Sequence, residues 1–353
     1  MRAWLGRMPI VETERIAAMI DRSHPKLVIY GDIAIDVTIE ADHTPLLGQD
    51  AADTRIALLP GGSAANCAAT AARLGARVEF VGVTGSDFLA RILVEDMQKH
   101  QVGIQHLKQT SGPTAIVAVI VHAGGERTFY SFRGAATTIR YGPIADGLIQ
   151  RGDCLHLSGY SFQDERSRET AMELIAAARR VGAWVSLDPS FHSAQDFRDK
   201  QQPVLRAVDI IFPNETEALR MTGHADPERA AAAIHELGPR LVVVKRGEQG
   251  CLVFSAAERV FVPAYPTENV VDTTGAGDAF CGGCLTGLLY GMTPREAARC
   301  GHAAAACVVA MQGGHTGAAT ITEVIRFLRE YDDAATISAI QRTRLVFGER
   351  SIR

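Results

Sequence analysis

The sequence lacks the features that mark several common classes of protein. Its 353 residues carry a net charge of −4 and no run of basic residues, so it has no general attraction to a phosphate polymer such as nucleic acid. No uninterrupted apolar run reaches the roughly 18 residues that cross a bilayer. The opening "MRAWLGRMPIVETERIAAMIDRSHPK" carries charges where a signal peptide needs an apolar segment. We therefore expect a cytoplasmic protein with neither a membrane nor a nucleic-acid partner.

A disulfide-rich composition is also lacking. There are seven cysteines, an odd number, which argues against a disulfide framework in a chain of this length. Cys281 and Cys284 form a "CGGC" that a redox pair or a metal site could use, but no second CxxC completes a zinc site. Because the pair lies in an apolar stretch, we expect buried thiols on a helix.

What the chain does contain is a repeated alternation of two patterns. Apolar runs that end in turn residues alternate with helical stretches such as "SRETAMELIAAARRVG" and "DPERAAAAIHELG". The runs are "KLVIYGDIAI", "RVEFVGVTG", "CLHLSGY", "AWVSLDPS", "DIIFPN" and "LVVVKRG". This order predicts an α/β fold with a doubly wound, mainly parallel sheet covered by helices on both faces. Ligands of such a sheet bind beyond the carboxyl ends of its strands.

Two stretches interrupt the alternation, at about residues 35–58 and 113–134. The second reads as a hairpin of two β-rich runs joined at Gly124 and Gly125. We predict that the two stretches form a small β-sheet that projects over the site as a lid. An interface between subunits is the alternative role, and both can hold because exposed sheet faces invite pairing. We therefore expect a homodimer formed through this lid.

The stretch "DTTGAGDAF", from Asp272 to Phe280, passes from a β-rich run through a turn into a helix. The backbone N–H groups of Gly275, Ala276 and Gly277 would point outward at the helix N-terminus, where the dipole favours negative charge. The spacing is neither GxGxxG nor GxxxxGK[ST], so a dinucleotide site or a P-loop is a poor fit. The turn instead predicts an anion hole.

Asp278 follows directly behind these three small residues. A carboxylate beside an anion hole repels phosphate unless it has a task, and accepting the proton of an attacking hydroxyl is such a task. The alternative is that Asp278 only caps the helix.

A second motif, "LPGGSAANCAATAARLG", begins at Leu59. Gly61 and Gly62 would allow close approach of a polyhydroxylated ligand, and the Asn66 amide offers a donor and an acceptor to neighbouring hydroxyls. Taken alone this signal is weak, since Gly-Gly turns precede many helices and Asn near a helix start is usually a cap.

Together, in this order, the two motifs resemble those of the ribokinase-like (PfkB) family of sugar kinases, over about Lys26 to about Glu330. The resemblance implies ATP-dependent phosphorylation of a hydroxyl of a small sugar or sugar derivative, with Mg²⁺. It makes Asp278 the base and gives the transferred phosphate to the amides of Gly275, Ala276 and Gly277. The positions that match the family's sugar-binding residues are Asp36, Gly61, Gly62 and Asn66.

The resemblance also implies a nucleotide and cation side of the site. In "PNETEA", Asn214 and Glu217 match the NxxE motif that organises Mg²⁺ and phosphate, while the local alternative is a helix cap. In "VVVKRGEQG", Lys245 and Gly247 would lie near the phosphates or ribose of ATP. Many members bind a monovalent cation such as K⁺, which here would use Asp272, Thr274 and carbonyls near Gly313. The alternative is that Asp272 hydrogen-bonds its own turn.

The family resemblance does not extend to every part of the chain. Ser63 stands where ribokinase itself carries Lys, which argues against ribose, and residues 1–25 and 331–353 are an extension and a tail without an assignable counterpart. A nucleoside kinase of the same family remains open, with Phe132 or Tyr160 as an aromatic that stacks on a base. A non-catalytic sugar- or nucleotide-binding regulator would keep Asp36 but would not need Asp278.

Overall fold

The computed structural model describes residues 25–40, 50–51, 54–121, 127–137, 143–145, 147–199 and 202–347. Residues 1–24 of the predicted extension, the turn predicted at Gly124 and Gly125, and the last six residues lie outside these ranges. Within them, no helix has the length and apolar character needed to span a membrane.

The described residues form thirteen strands and eleven helices. The strands are β1 Lys26–Tyr30, β2 Ala34–Glu40, β3 Arg55–Gly61, β4 Arg77–Thr84, β5 Gly103–Gln109, β6 Ile116–Val121, β7 Arg127–Phe132, β8 Cys154–Ser158, β9 Trp184–Asp188, β10 Ile210–Ile211, β11 Leu241–Lys245, β12 Cys251–Ser255 and β13 Arg259–Val262. The helices are α1 Ser63–Arg73, α2 Phe88–Lys99, α3 Glu165–Val181, α4 Phe191–Asp199, α5 Gln202–Arg206, α6 Glu215–Thr222, α7 Pro227–Glu236, α8 Ala276–Leu289, α9 Pro294–Val308, α10 Ile321–Glu330 and α11 Ala334–Phe347.

Nine strands build the large sheet, in the order β13-β12-β11-β10-β9-β8-β1-β4-β5. Neighbours from β11 to β5 pair in parallel, whereas β12 and β13 add an antiparallel edge. The central parallel strands β1, β8, β9, β10 and β11 are mostly apolar and buried because helices cover both faces. In β1, Leu27 and Ile29 pack with α1, α2 and α8 to α11, while Val28 and Tyr30 pack with α3 to α7. The predicted doubly wound α/β fold is confirmed.

The strand order reverses at β1. The chain passes from β1 to β4 on one side and later to β8 on the other, and both strands run parallel to β1. Because the connections leave in opposite directions, a crevice opens at the carboxyl ends of β1 and β8. The segments that follow these two strands are therefore the place to look for a ligand site.

A separate sheet of four strands has the order β3-β2-β6-β7. Its strands fall in the two stretches that interrupt the alternation, and β6 pairs antiparallel with β7 as the hairpin pattern predicts. Its exposed large apolar side chains are Ile56, Leu58, Phe129, Tyr130 and Phe132. The small sheet forms as predicted.

The described part of the C-terminal tail is helical. Asp333 starts α11 by accepting the backbone N–H of Thr336 at 2.9 Å. Its other carboxylate oxygen accepts the Tyr265 hydroxyl at 2.6 Å and Nη2 of Arg299 at 2.7 Å. This segment is thus joined to the chain before α8 and to α9.

Candidate active site

The N-terminus of α1 is fixed at the reversal point of the large sheet. Asp32, just after β1, accepts the Ser63 N–H at 2.7 Å and the Ser158 hydroxyl at 2.8 Å. A side chain at Gly31 would place its Cβ 2.7 Å from that of Ala64, so the close approach requires glycine. Asp32 therefore joins β1, β8 and α1, a role that the sequence analysis missed.

Asp36 lies on β2 with its carboxylate against the end of β3. A Cβ at Gly61 would come within 2.2 Å of Asp36 Oδ2, so Gly61 makes room for this carboxylate. Gly62, with φ of 101°, completes the turn into α1. Burial, together with the negative charges of Asp32 and Asp272, raises the pKa of Asp36 to about 7. A buried carboxyl of this kind is suited to the hydroxyls of a bound ligand.

The turn before α8 has the geometry of an anion site. Gly275 is the residue before the helix, and its φ of 75° lies in the left-handed region that favours glycine. Of the three amides, that of Ala276 donates to the Thr273 carbonyl at 3.3 Å. The ammonium of Lys245 lies 3.4 Å from the position that a Cβ would take on Gly277. A lysine and a helix N-terminus therefore converge at one point, which favours an anion.

Asp278 lies in the first turn of α8 and contacts α1. Its Oδ1 accepts the Ser63 hydroxyl and its Oδ2 accepts Nδ2 of Asn66, both at 2.8 Å. Burial and the charge of Asp188 raise its pKa to about 7, although the two hydrogen bonds oppose the shift. Its hydrogen bonds go to α1, so the cap interpretation does not describe this carboxylate.

Lys245, at the end of β11, is paired with an aspartate that the sequence analysis did not select. Its ammonium donates to both oxygens of Asp188, at 2.8 and 2.7 Å, from the end of β9. Burial disfavours the charge, but the carboxylate outweighs it and the pKa of Lys245 is raised. A permanent cation thus lies at the α8 N-terminus.

Asn214 and Glu217 form the cap that the local pattern predicts. The Asn214 side chain accepts the Glu217 N–H, and the Glu217 side chain accepts the Asn214 N–H, both at 2.8 Å. Burial raises the pKa of Glu217 to about 7, with Lys245 opposing and Asp188 adding to the shift. The family interpretation of these residues is compatible with this geometry, since a carboxylate oxygen is the kind of ligand that Mg²⁺ prefers.

Of the remaining predicted residues, Asp272 lies in the turn before α8 and Gly247 lies at the surface. Asp272 is buried, and its two oxygens accept the N–H of Thr274 at 2.7 Å and of Gly313 at 2.9 Å. Asp272 therefore hydrogen-bonds its own turn, as the alternative without a cation predicts. Gly247 lies exposed in a short turn two residues beyond Lys245.

The two aromatic candidates differ in place. Phe132 ends β7 and is 53% exposed. Tyr160 is half-buried after β8, where burial and the charges of Asp32 and Asp278 raise the pKa of its hydroxyl. Tyr160 is thus the aromatic near the candidate base.

The family model of "pfkB family carbohydrate kinase" matches residues 24–321. The chain belongs to this family. This kinase is 32% identical over 251 residues to an ATP-dependent 6-phosphofructokinase of Thermoanaerobacterium thermosaccharolyticum, covering 70% of this chain and 77% of that protein. It is also 32% identical over 278 residues to a cytidine kinase of Thermococcus kodakarensis, covering 78% and 92%.

A solved structure has the same architecture. The fructokinase of Vibrio cholerae O395, bound to fructose, ADP and a calcium ion, aligns with a TM-score of 0.75 at 26% identity, covering 87% of this kinase and 99% of that chain. The present kinase is an ATP-dependent carbohydrate kinase that acts on a sugar or a nucleoside, with a divalent metal ion. The ammonium of Lys245 and the α8 N-terminus suit the phosphates, and the carboxylate of Glu217 suits the metal ion.

Proposed function

We propose that this kinase phosphorylates a hydroxyl of a small sugar or sugar derivative, with Asp278 as the general base. The observation that carries this proposal is the position of Asp278. Its carboxylate lies in the first turn of α8, beside an anion site, and its pKa of about 7 suits proton transfer at neutral pH. Proton acceptance explains why a carboxylate stands where phosphate must approach.

The acceptor binds between β2 and α1. Asp36 and Asn66 hydrogen-bond its hydroxyls, and Gly61 and Gly62 let it approach the backbone. One hydroxyl then lies within reach of Asp278, which takes its proton as the hydroxyl oxygen bonds to the γ-phosphorus of ATP and the bond from that phosphorus to ADP breaks.

The charge of the transferred phosphoryl group is held at the start of α8. It is held by the amides of Gly275, Ala276 and Gly277 and by the ammonium of Lys245. Because these groups are fixed before the reaction, they stabilise the charge without reorganisation. Asn214 and Glu217 would hold Mg²⁺, which would supply positive charge to the phosphates of ATP, and Gly247 would contact the nucleotide.

A monovalent cation supports the same turn. The carboxylate of Asp272 and carbonyls near Thr274 and Gly313 provide oxygen ligands for K⁺. An ion held there would favour the orientation of the amides before α8 that suits an anion.

The small sheet serves as the lid and as the contact between two subunits. Five exposed apolar side chains on its strands are the support for a homodimer. The protein acts in the cytoplasm, where its seven cysteines, all free thiols, stay reduced.

A nucleoside is the second candidate acceptor. Tyr160 is close enough to Asp32 and Asp278 for their charges to raise the pKa of its hydroxyl. Its ring can stack on a base whose ribose reaches Asp278. The likeness to a cytidine kinase supports the same alternative.

A coupled ADP-release screen over pentoses, hexoses, ketoses, sugar acids, sugar phosphates and nucleosides tests the function. We expect one acceptor class to stimulate ADP release, and we expect Asp278→Asn to lower its kcat by about 100-fold or more with a modest change in KM. Asn keeps the volume and can still hydrogen-bond Ser63, so a retained kcat would refute the role of base. ADP release independent of every acceptor would refute the kinase assignment.

A further inference from the structure

Behind Asp278, a series of buried side chains leads away from the site. Asn66 donates Nδ2 to Asp278, and its Oδ1 lies 2.7 Å from Nδ1 of His315. On the far side of the ring, Nε2 of His315 lies 2.6 Å from Oδ2 of Asp96 in α2. His315 is 2% exposed, so it exchanges none of these partners for water. The proposed function so far uses neither His315 nor Asp96.

The direction of each hydrogen bond follows from the chemistry of the groups. A charged Asp278 can only accept, so Asn66 turns its NH₂ toward it and its carbonyl oxygen toward His315. A carbonyl oxygen also only accepts, so Nδ1 of His315 carries a hydrogen. Nε2 lies against the Asp96 carboxylate on the other side of the ring. His315 therefore donates through Nδ1 to Asn66 and is held from behind by Asp96.

A second histidine lies beside the carboxylate of Asp96. His100 lies with Nδ1 2.9 Å from the Asp96 carbonyl and 3.5 Å from Oδ2. Its ring meets that of His315 edge to face, with 5.1 Å between centroids. Burial opposes ionisation of Asp96, but the hydrogen bonds from His100 and His315 keep its pKa well below the usual range.

The same loop encloses the amide of Asn66 sterically. A Cβ on Gly314 would lie 2.5 Å from both Oδ1 and Nδ2 of Asn66. The Gly314 carbonyl also faces Gly275, at 1.9 Å from where a Cβ would stand. The backbone before His315 thus touches both the amide that contacts the base and the turn of the anion site.

We propose that His315, held by Asp96, is a positioning residue that keeps the N–H of Asn66, rather than its carbonyl, directed at Asp278. With the amide reversed, a carbonyl oxygen would face the carboxylate, which would then retain its proton and could not accept one from substrate. This inference rests on the proposed role of Asp278 as base. It concerns the orientation of an amide and requires no contact between His315 and substrate.

Other groups facing Asp278 remain in place when His315 is changed. They are Ser63 and Cys67 from α1, Tyr160 after β8, Asp188 from β9, Glu217 from α6, Lys245 from β11 and Cys281 from α8. A shift in the titration of Asp278 caused by substitution at 315 therefore reports on Asn66.

His302 offers a matched control. It is another buried histidine of the same layer, 7% exposed, and its ring lies 4.8 Å from that of Phe280 in α8. Its Nε2 has no hydrogen-bond partner among the described residues, and no bond joins it to Asn66. Replacing it disturbs packing near Asp278 without touching the hydrogen bonds behind the base.

The experiment follows the carboxyl ¹³C resonance of Asp278 against pH in protein labelled at aspartate, assigned by its loss in Asp278→Asn. In His315→Leu we expect the midpoint to rise by about one pH unit, which corresponds to a tenfold loss of charged base at a pH well below the midpoint. His315→Gln, whose side-chain amide can still donate to Asn66, should restore most of the shift. His302→Leu should leave the midpoint unchanged.

Kinetics with the acceptor found in the screen give the second measurement. In His315→Leu the acid limb of kcat should move upward with the NMR midpoint, and the KM for ATP should not change. An unmoved midpoint in folded His315→Leu, or an equal shift in His302→Leu, would overturn the inference. If Asp278→Asn kept its kcat, the proposed base would fail instead, whatever the NMR midpoint shows.

A metal ion is the rival explanation, since donor atoms of Asp96, His100 and His315 lie within 4.8 Å of one another. Metal analysis of the purified protein decides between the two. One zinc per chain, lost in His315→Leu, would overturn the part assigned to Asp96, because a metal-bound Nε2 has no hydrogen to donate to its carboxylate. We expect no stoichiometric zinc, because the direct 2.6 Å contact between Nε2 and Asp96 leaves no space for an ion.

Discussion

A methyl group added at Gly275 should disturb the anion site more than the rest of the fold. This residue has a φ of 75°, and a Cβ there would lie 1.9 Å from the carbonyl oxygen of Gly314. A Cβ does not approach a heavy atom closer than 3.0 Å, so in Gly275→Ala the two backbones must separate by about 1 Å. Either the amides before α8 move or the Gly314 loop moves, and the loop carries the contact with Asn66.

The cost of the left-handed backbone can be measured on its own. Gly182, at the end of α3, has a φ of 74°, and a Cβ there would meet no atom within 4 Å. Gly182→Ala therefore has the same conformational penalty without the contact, about 1 kcal/mol. In a protein of this size this corresponds to a fall in Tm of roughly 2 °C. Its kcat should equal that of the wild type.

For Gly275→Ala we expect a larger fall in Tm and a fall in kcat of about 100-fold, since a displacement of about 1 Å at a reacting group can cost that much. Thermal unfolding followed by circular dichroism and the coupled ADP assay provide the two measurements. If Gly275→Ala matched Gly182→Ala in Tm and kept at least half of the wild-type kcat, the close contact would have no part in shaping the anion site.

Three further predictions concern the groups around the acceptor. Because the pKa of Asp278 is raised to about 7 and only the charged form accepts a proton, kcat/KM should fall about tenfold per pH unit below pH 7. Asp36 has a similar pKa, so the variant Asp36→Asn is needed to separate the two groups. The fall in kcat/KM should persist in this variant, whereas a flat pH profile would assign the fall to Asp36. Asp36→Ala should weaken acceptor binding by roughly 1 to 3 kcal/mol with the KM for ATP unchanged, whereas a raised KM for ATP would place Asp36 on the nucleotide side. Activity should rise several-fold when K⁺ replaces tetramethylammonium at constant ionic strength, and Asp272→Ala should abolish the difference; equal wild-type rates in both salts would refute a cation role.

Features carried by local pattern were predictable from the sequence. Short runs of residues predict the alternation of strands and helices, the helix that starts after Gly275, and the buried thiols of Cys281 and Cys284. The structure confirms all three. The cap formed by Asn214 and Glu217 belongs to the same group, because its two partners lie within one helical turn.

Side-chain contacts between residues that are distant in the sequence could not be predicted in this way. Lys245 and Asp188 are 57 residues apart, and His315 lies 249 residues from Asn66. Asp188 and His315 are unremarkable in their own segments, and only the folding of the chain brings them to Lys245 and Asn66. The antiparallel edge of β12 and β13 was also not predicted, because the alternation of strands and helices indicates parallel pairing alone.

The packing of α1 against α8 has a consequence for synthesis on the ribosome. Along α1 the side chains of Ala64, Ala65, Cys67 and Ala68 are fully buried, and Gly282 of α8 comes so close to Cys67 that a Cβ there would lie 2.7 Å from its carbonyl oxygen. Yet α8 begins more than 200 residues after α1 ends. At about 5 to 20 residues per second, the nascent chain exposes this alanine-rich surface for roughly 10 to 40 s before its partner is made. Because the partner helix comes so late, we expect substitutions that enlarge the small side chains of α1 to lower the yield of folded protein.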